Sequence, residues 1–137
     1  AGSCYACHRI AGEGGAVGPD LTSVGGKFGA YDLLESIVDP AKEISDQYGS
    51  SVFTTTDGTQ LNGRIMNMRN NEYWVNTDMM KPSTVNKVKA ELITSIEPSP
   101  VSMMPPGLIN TMKKEDILDL LAYLISGGDR KHELFDR

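Results

Sequence analysis

The sequence predicts an α+β protein in which a small antiparallel sheet or barrel interrupts a mainly helical framework. Two amphipathic helical stretches near the two ends of the chain, and about five short β-branched runs between them, predict this class. The chain has 137 residues, of which 39% are apolar and 23% are charged. This is the composition of a globular protein, and the length is sufficient to bury a core without disulfide support.

Two stretches have the apolar periodicity of amphipathic helices. Residues 31–39 are predicted as a short helix that ends before Pro40, because the residue before a proline avoids the α region. The apolar side of this helix consists of Leu34, Ile37 and Val38. Residues 113–126 are predicted as the strongest helix, with a glycine stop at residues 127–128. Its apolar stripe consists of Ile117, Leu120, Leu121, Leu124 and Ile125.

Residues 47–98 differ from the rest because β-branched and aromatic residues recur there in short runs. The predicted strands are residues 51–56, 61–68, 72–77, 84–89 and 92–96. Tyr73 and Trp74 are adjacent on one strand, so we expect their side chains on opposite faces of the sheet. We therefore predict a domain formed by residues 1–46 and 99–137, with a β subdomain inserted at residues 47–98.

The charge balance excludes some classes of partner. The formal net charge is −5, from 13 Lys and Arg against 18 Asp and Glu. A nucleic-acid binder needs a basic face to neutralise phosphates, so we expect no nucleic-acid partner. No apolar run approaches the roughly 20 residues of a membrane-spanning helix, and the first residues lack the pattern of a signal peptide.

The two cysteines of the chain lie close together and are followed by a histidine. The motif is Cys4-Tyr5-Ala6-Cys7-His8, called the CxxCH motif below. Two thiols at this spacing can add to the two vinyl groups of a haem, and the adjacent imidazole then reaches the iron. Cys4, Cys7 and His8 are therefore the predicted attachment and proximal-ligand residues for haem c.

Three other interpretations of the motif are open. A dithiol redox motif normally follows a strand in a βαβ unit, but no strand is predicted before Cys4. A zinc site needs four ligands, and the only other histidine, His132, lies in a charged tail. A chance spacing of structural residues is the third interpretation.

An electron-transfer haem c needs a second axial ligand, which is often methionine. Most of the seven methionines suit packing. Met103 and Met104 differ because they lie in a loop with prolines on both sides, which restrict its backbone. We predict Met104 as the iron ligand and Met103 as a packing residue near the haem edge.

Half of the fourteen glycines lie between residues 11 and 29. They are typical of a flexible linker, or of backbone that runs close to a flat ring. A ligating histidine usually donates its second ring N–H to a carbonyl, and we expect the Pro19 carbonyl to accept from His8. Leu21 is then expected to pack on the haem face.

These motifs together resemble the class I cytochromes c. The matching residues are the CxxCH motif, Gly18-Pro19-Asp20-Leu21, Met104-Pro105 and the apolar stretch 120–124. Residues 35–40, 44–48 and 57–58, and the stretch from Ser99-Pro100 to residues 103–108, more closely resemble haem-binding modules of planctomycetes and verrucomicrobia. This resemblance implies a mainly α cytochrome c fold with an inserted β block, and a module at the C-terminal end of a large secreted dehydrogenase-like protein.

One feature departs from this resemblance. Class I cytochromes usually have a helix before the CxxCH motif, whereas only three residues precede Cys4 here. We expect either that the chain is a fragment of a longer protein, or that another element covers the face on which this helix packs in class I cytochromes. The oligomeric state is left open. Because haem c is attached outside the cytoplasm in the family, the expected location is the periplasm or an equivalent space.

The leading hypothesis is a one-electron carrier with His/Met-ligated haem c rather than an enzyme by itself. Its partner would be a redox protein with a basic face or a fused dehydrogenase domain. One alternative is a haem-based gas sensor or peroxidase with a labile distal Met. Another is a binding module that recognises a protein or glycan through residues 47–98.

Overall fold

The computed structural model describes residues 2–136 as two compact units. Residues 1 and 137, which the predicted domain bounds include, lie outside the described residues. The first unit contains the chain up to Glu43 and again from Pro105 onward, and the second contains Ile44–Met104. The second unit therefore extends several residues further at each end than the predicted subdomain.

The first unit combines short helices with a two-stranded ladder. The elements are α1 (Gly2–Tyr5), β1 (Arg9–Ile10), β2 (Glu13–Gly14), α2 (Ala30–Val38) and α3 (Lys114–Ile125), with 3₁₀ turns at Val24–Gly26 and Glu133–Phe135. β1 pairs antiparallel with β2. One buried cluster is formed by Ile10 of β1, Leu33 of α2, and Leu120, Leu121 and Leu124 of α3. The predicted apolar side of α2 is therefore partly wrong, since Leu33 is its buried residue, Leu34 and Ile37 are only partly buried, and Val38 is exposed.

The second unit is a five-stranded antiparallel sheet. Its strands are β3 (Ser51–Thr55), β4 (Gln60–Arg69), β5 (Glu72–Asn76), β6 (Asn86–Lys89) and β7 (Ile93–Pro98), in the order β6-β5-β4-β3-β7. The two edge strands, β6 and β7, are joined by a single 3₁₀ turn at Ala90–Leu92. Because three residues span only a short distance, the sheet must curl. Phe53 and Val75 are completely buried on its inner face.

The predicted mainly α cytochrome c fold is wrong. The described residues form a small α+β protein with a five-stranded sheet and three short α-helices, the longest of which has twelve residues. The prediction failed because the motifs behind it are local. Cysteine spacing and a Met-Pro pair describe a site, whereas helix content depends on long stretches that here contain proline, glycine and β-branched residues.

Individual elements agree better with the sequence pattern than the fold class does. Both predicted helices and all five predicted strands are present, with ends that differ by at most two residues. Tyr73 packs against Phe53 with ring centroids 5.7 Å apart, and Trp74 projects from the opposite face. Among residues 2–136, no helix combines the length and the apolar content needed to cross a membrane.

Candidate functional site

The CxxCH motif forms one tight turn at the end of α1. The backbone N–H groups of Cys7 and His8 both donate to the Cys4 carbonyl, at 3.2 and 2.8 Å. This turn gathers two half-buried free thiols and an imidazole within five residues. Burial, and then the charge of Cys4, raise the pKa of Cys7. The turn therefore places two free thiols beside one histidine, and the thiol form of Cys7 is favoured.

The His8 ring is oriented by the backbone. Its Nδ1 lies 2.7 Å from the Pro19 carbonyl oxygen, which confirms the predicted hydrogen bond. A carbonyl can only accept, so Nδ1 carries the proton and a neutral ring keeps its lone pair on Nε2. This is the arrangement in which a histidine ligates a metal through Nε2.

Glycines bring the following backbone against the CxxCH turn. A Cβ at Gly18 would lie 2.8 Å from Cε1 and 2.9 Å from Nδ1 of the His8 ring. A Cβ at Gly14 would overlap the His8 carbonyl, and one at Gly15 would lie 2.5 Å from the Ala6 carbonyl. These close approaches explain the glycines at positions 14, 15 and 18. The expectation that glycines also border the haem ring stays a prediction.

A tyrosine pair, which the sequence analysis missed, ties the CxxCH turn to α3. The hydroxyl of Tyr5, which lies between the two cysteines, forms a hydrogen bond with the hydroxyl of Tyr123. This bond, followed by burial, raises the pKa of Tyr5, and Arg130 interacts with both hydroxyls. The two tyrosines are 118 positions apart, so no local pattern could have paired them.

The segment after Pro19 is fixed by short-range hydrogen bonds. The Asp20 carboxylate accepts from the backbone N–H of Thr22 at 2.8 Å and from its hydroxyl at 2.6 Å. These bonds lower the pKa of Asp20. Leu21 donates its N–H to the Arg9 carbonyl at 2.8 Å and packs, partly buried, against the core of the first unit. Its predicted contact with a haem stays a prediction.

Met104 lies in the second unit, at its last residue. It is half-buried like Met103, and its N–H donates to the Ser102 hydroxyl at 3.1 Å. The preceding loop is also held by serines, since Ser99 donates its N–H to the Ser50 carbonyl at 2.9 Å. Prolines were the predicted source of rigidity, and the sequence analysis missed these serines. His8 and Met104 belong to different units, so ligation by Met104 stays a prediction.

The first unit also exposes apolar surface. Tyr31 is 75% exposed and Val38 is 56% exposed along α2, and Phe28 is exposed just before it. A shallow concavity of about 510 Å³ lies along the same helix. Among residues 2–136, no group of three or more His, Cys, Asp or Glu side chains is arranged to hold a metal ion.

No protein-family model matches the chain, and no curated protein is significantly similar to it. The resemblance to class I cytochromes c, based on the CxxCH, Gly-Pro and Met-Pro motifs, therefore stays a prediction.

Proposed function

We propose that this chain binds haem c covalently through Cys4 and Cys7, with His8 as an axial iron ligand, and carries single electrons. The observation that carries the proposal is the hydrogen bond from His8 Nδ1 to Pro19, which leaves Nε2 available for a metal. When bound, the haem supplies a one-electron iron couple, while the protein supplies attachment, ligation and burial.

The residues fit such a group. Cys4 and Cys7 are both free thiols in one turn, which is the state that thioether formation requires. The raised pKa of Cys7 disfavours the thiolate on which a reactive dithiol depends. The exposed apolar side chains of α2 belong to the same unit as His8 and offer apolar surface for a largely apolar ring.

We further propose Met104 as the second axial ligand. A thioether ligand raises the reduction potential and completes the coordination of the iron, which suits an electron carrier better than a catalyst. The acidic first unit, with twelve Asp and Glu against eight Lys and Arg, would meet a basic face of its partner. That partner is a redox protein or a fused dehydrogenase domain of a larger secreted protein, and the proposed location is the periplasm.

Absorption spectra of the purified protein, oxidised and reduced, test this function. We expect a haem that stays attached after denaturation and is lost in a Cys4→Ser, Cys7→Ser double variant. We also expect a weak far-red band of an iron–thioether bond, which Met104→Ala removes and the control variant Met103→Ala retains.

Two results would contradict the proposal at different levels. Protein that never acquires covalent haem when produced with a haem-attachment system would refute attachment at the CxxCH motif. Attached haem that is high-spin and binds carbon monoxide readily would refute Met104 ligation, and gas sensing or peroxide chemistry would then become the better function.

A further inference from the structure

Three basic side chains share one face at the β6 edge of the second unit. Lys87 pairs with Trp74 across β5 and β6, and Glu72 pairs with both Lys89 and Arg69. Directly paired residues and residues two positions apart on a strand project from the same face. Arg69, Lys87 and Lys89 therefore surround Trp74 on what we call the cationic face, with Glu72 as its one acid.

Trp74 holds two of these cations in place. The Lys87 Nζ lies 4.6 Å from the indole ring centroid, and the Arg69 Cζ lies 6.0 Å from it. Because β5 lies between β4 and β6, the two cations come from the strands on either side of the one that bears Trp74. Cation–π contacts of this kind restrict long side chains that otherwise sample many rotamers. The positive charges are thus positioned before any ligand arrives.

Glu72, the one carboxylate of this face, lies beside Arg69 and Lys89, so the three cations leave two positive charges in excess. Arg69, Lys87 and Lys89 are all exposed, and none of them forms an ion pair with another residue between 2 and 136. They stand out in a chain whose net charge is −5. An acidic partner would supply the missing counter-charges.

The geometry favours an extended polypeptide over other polyanions. Lys87 and Lys89 are two residues apart on a strand, about 7 Å, which is also the spacing of alternate side chains in an extended acidic segment. β6 is an edge strand, so the backbone groups on its outer side are available to a further strand. Cations flank the Trp74 ring, which leaves it poorly placed to stack on a sugar or a base.

We propose that the cationic face and the β6 edge form a docking surface for an extended acidic segment of a partner protein. The segment adds as a sixth strand beside β6, and its alternate carboxylates pair with Lys87 and Lys89. Arg69, on β4, lies too far from this added strand to pair with it, and it contacts the Trp74 ring instead. This surface belongs to the second unit and does not depend on haem attachment.

Lysines on an edge strand also have a protective use, since they discourage pairing between copies of the same sheet. Protection needs only their charge, whereas docking also uses the positions set by Trp74 and the free backbone edge. An experiment can separate the two because only docking predicts a dependence on the backbone of the ligand.

The test measures binding of the intact protein to a labelled peptide of alternating Thr and Glu, by calorimetry at low salt. We expect Lys87→Glu to weaken binding about fivefold, because one attraction becomes a repulsion. The control Lys114→Glu makes the same charge change on α3 and should leave the affinity unchanged. A peptide of alternating Pro and Glu keeps the carboxylates but lacks the strand donors at every second residue, and it should bind more weakly.

Hydrogen exchange adds a direct readout of strand addition, since the β6 amides should gain protection only with the Thr-Glu peptide. Three outcomes would overturn the proposal. Lys87→Glu and Lys114→Glu could weaken binding equally, or the Pro-Glu peptide could bind as well as the Thr-Glu peptide. A heparin oligosaccharide could also bind through this face while the peptides do not, which would identify a glycan site instead.

Discussion

The two units of this protein hold their geometry in different ways. In the second unit, β4 forms antiparallel ladders with both β3 and β5, and every strand takes part in the same sheet. In the first unit, a few backbone hydrogen bonds close the CxxCH turn, and its side chains are placed by single contacts. These are one hydrogen bond from His8 to Pro19, one between two tyrosine hydroxyls, and close approaches at glycines.

Because of this difference, we expect the same kind of substitution to affect the two units differently. A ladder shares its stabilisation over many backbone pairs, so an exposed change at one position is tolerated. A turn fixed by isolated contacts loses a defined part of its geometry when one contact is removed. The first unit should therefore be sensitive at its site residues, and the second unit mainly in its small core.

The largest effect is expected in the core of the second unit. Phe53 is completely buried, so Phe53→Ala should reduce the free energy of unfolding by about 3–5 kcal/mol. The control Met68→Ala, at a position 52% exposed in the same sheet, should cost within about 0.5 kcal/mol. Urea unfolding gives the free energies, and hydrogen exchange locates the loss in β3–β7. Equal costs for the two variants would contradict the idea of a small, concentrated core.

Gly18→Ala tests the site-specific sensitivity of the first unit. The added Cβ would lie 2.8–2.9 Å from atoms of the His8 ring, so the ring must move. We expect a loss of about 1–3 kcal/mol in the free energy of unfolding, together with a disturbed iron spectrum in protein that carries haem.

Gly26→Ala is the matched control for that change. A Cβ at Gly26 would meet nothing within 4 Å, so its effect should stay within about 0.5 kcal/mol. Thermal unfolding of both variants is sufficient for the comparison. If Gly18→Ala behaves like Gly26→Ala, the His8 ring is not held by this contact and the comparison of the units fails at its central residue.

Tyr5→Phe should have a moderate effect, because it removes one hydroxyl and leaves the ring. Loss of the hydrogen bond to Tyr123 predicts a decrease of about 0.5–1.5 kcal/mol in the free energy of unfolding. A double-mutant cycle with Tyr123→Phe measures the coupling between the two hydroxyls. Tyr31→Phe, at a side chain 75% exposed, is the control and should be neutral. A coupling of zero would show that the pair does not tie the turn to α3.

Features of both units that depend on residues close together in the sequence could be predicted. Strands β3–β7 were found to within two residues because β-branched runs and turn residues are local signals. The hydrogen bond from His8 to Pro19 was also predictable, since only eleven positions separate its partners. In both cases the information lies in neighbouring residues.

Contacts between distant residues could not be predicted in this way. The pairing of Tyr5 with Tyr123, and the contacts of Ser50 with Ser99 and Val101 in the loop before Met104, depend on how the chain folds back on itself. The fold class failed for a related reason, because site motifs were used to predict helix content that they do not determine. The position of Lys87 beside Trp74 could not be predicted either, because it depends on the register of β5 and β6.

The smallest expected effect concerns the turn between β3 and β4, where the second unit, like the first, uses a side chain to fix its backbone. The Asp57 carboxylate accepts from the Thr55 hydroxyl and from the Thr59 N–H, and these bonds lower its pKa from 3.8 to about 2. Since the folded pKa lies below the unfolded one, the charged form stabilises the folded state. This stabilisation is complete above about pH 4 and is lost as the pH falls through about 2.

The effect should be slight because Asp57 is fully exposed. Unfolding of the second unit, followed between pH 5 and 2, should therefore show a small extra loss of stability in the wild type that Asp57→Asn abolishes. Asp46→Asn makes the same change in net charge within this unit and corrects for general electrostatic effects. If Asp57→Asn and Asp46→Asn give the same pH dependence, the turn does not depend on its side-chain contacts. Backbone geometry fixed by a single side-chain contact would then be a property of the first unit and not of this turn.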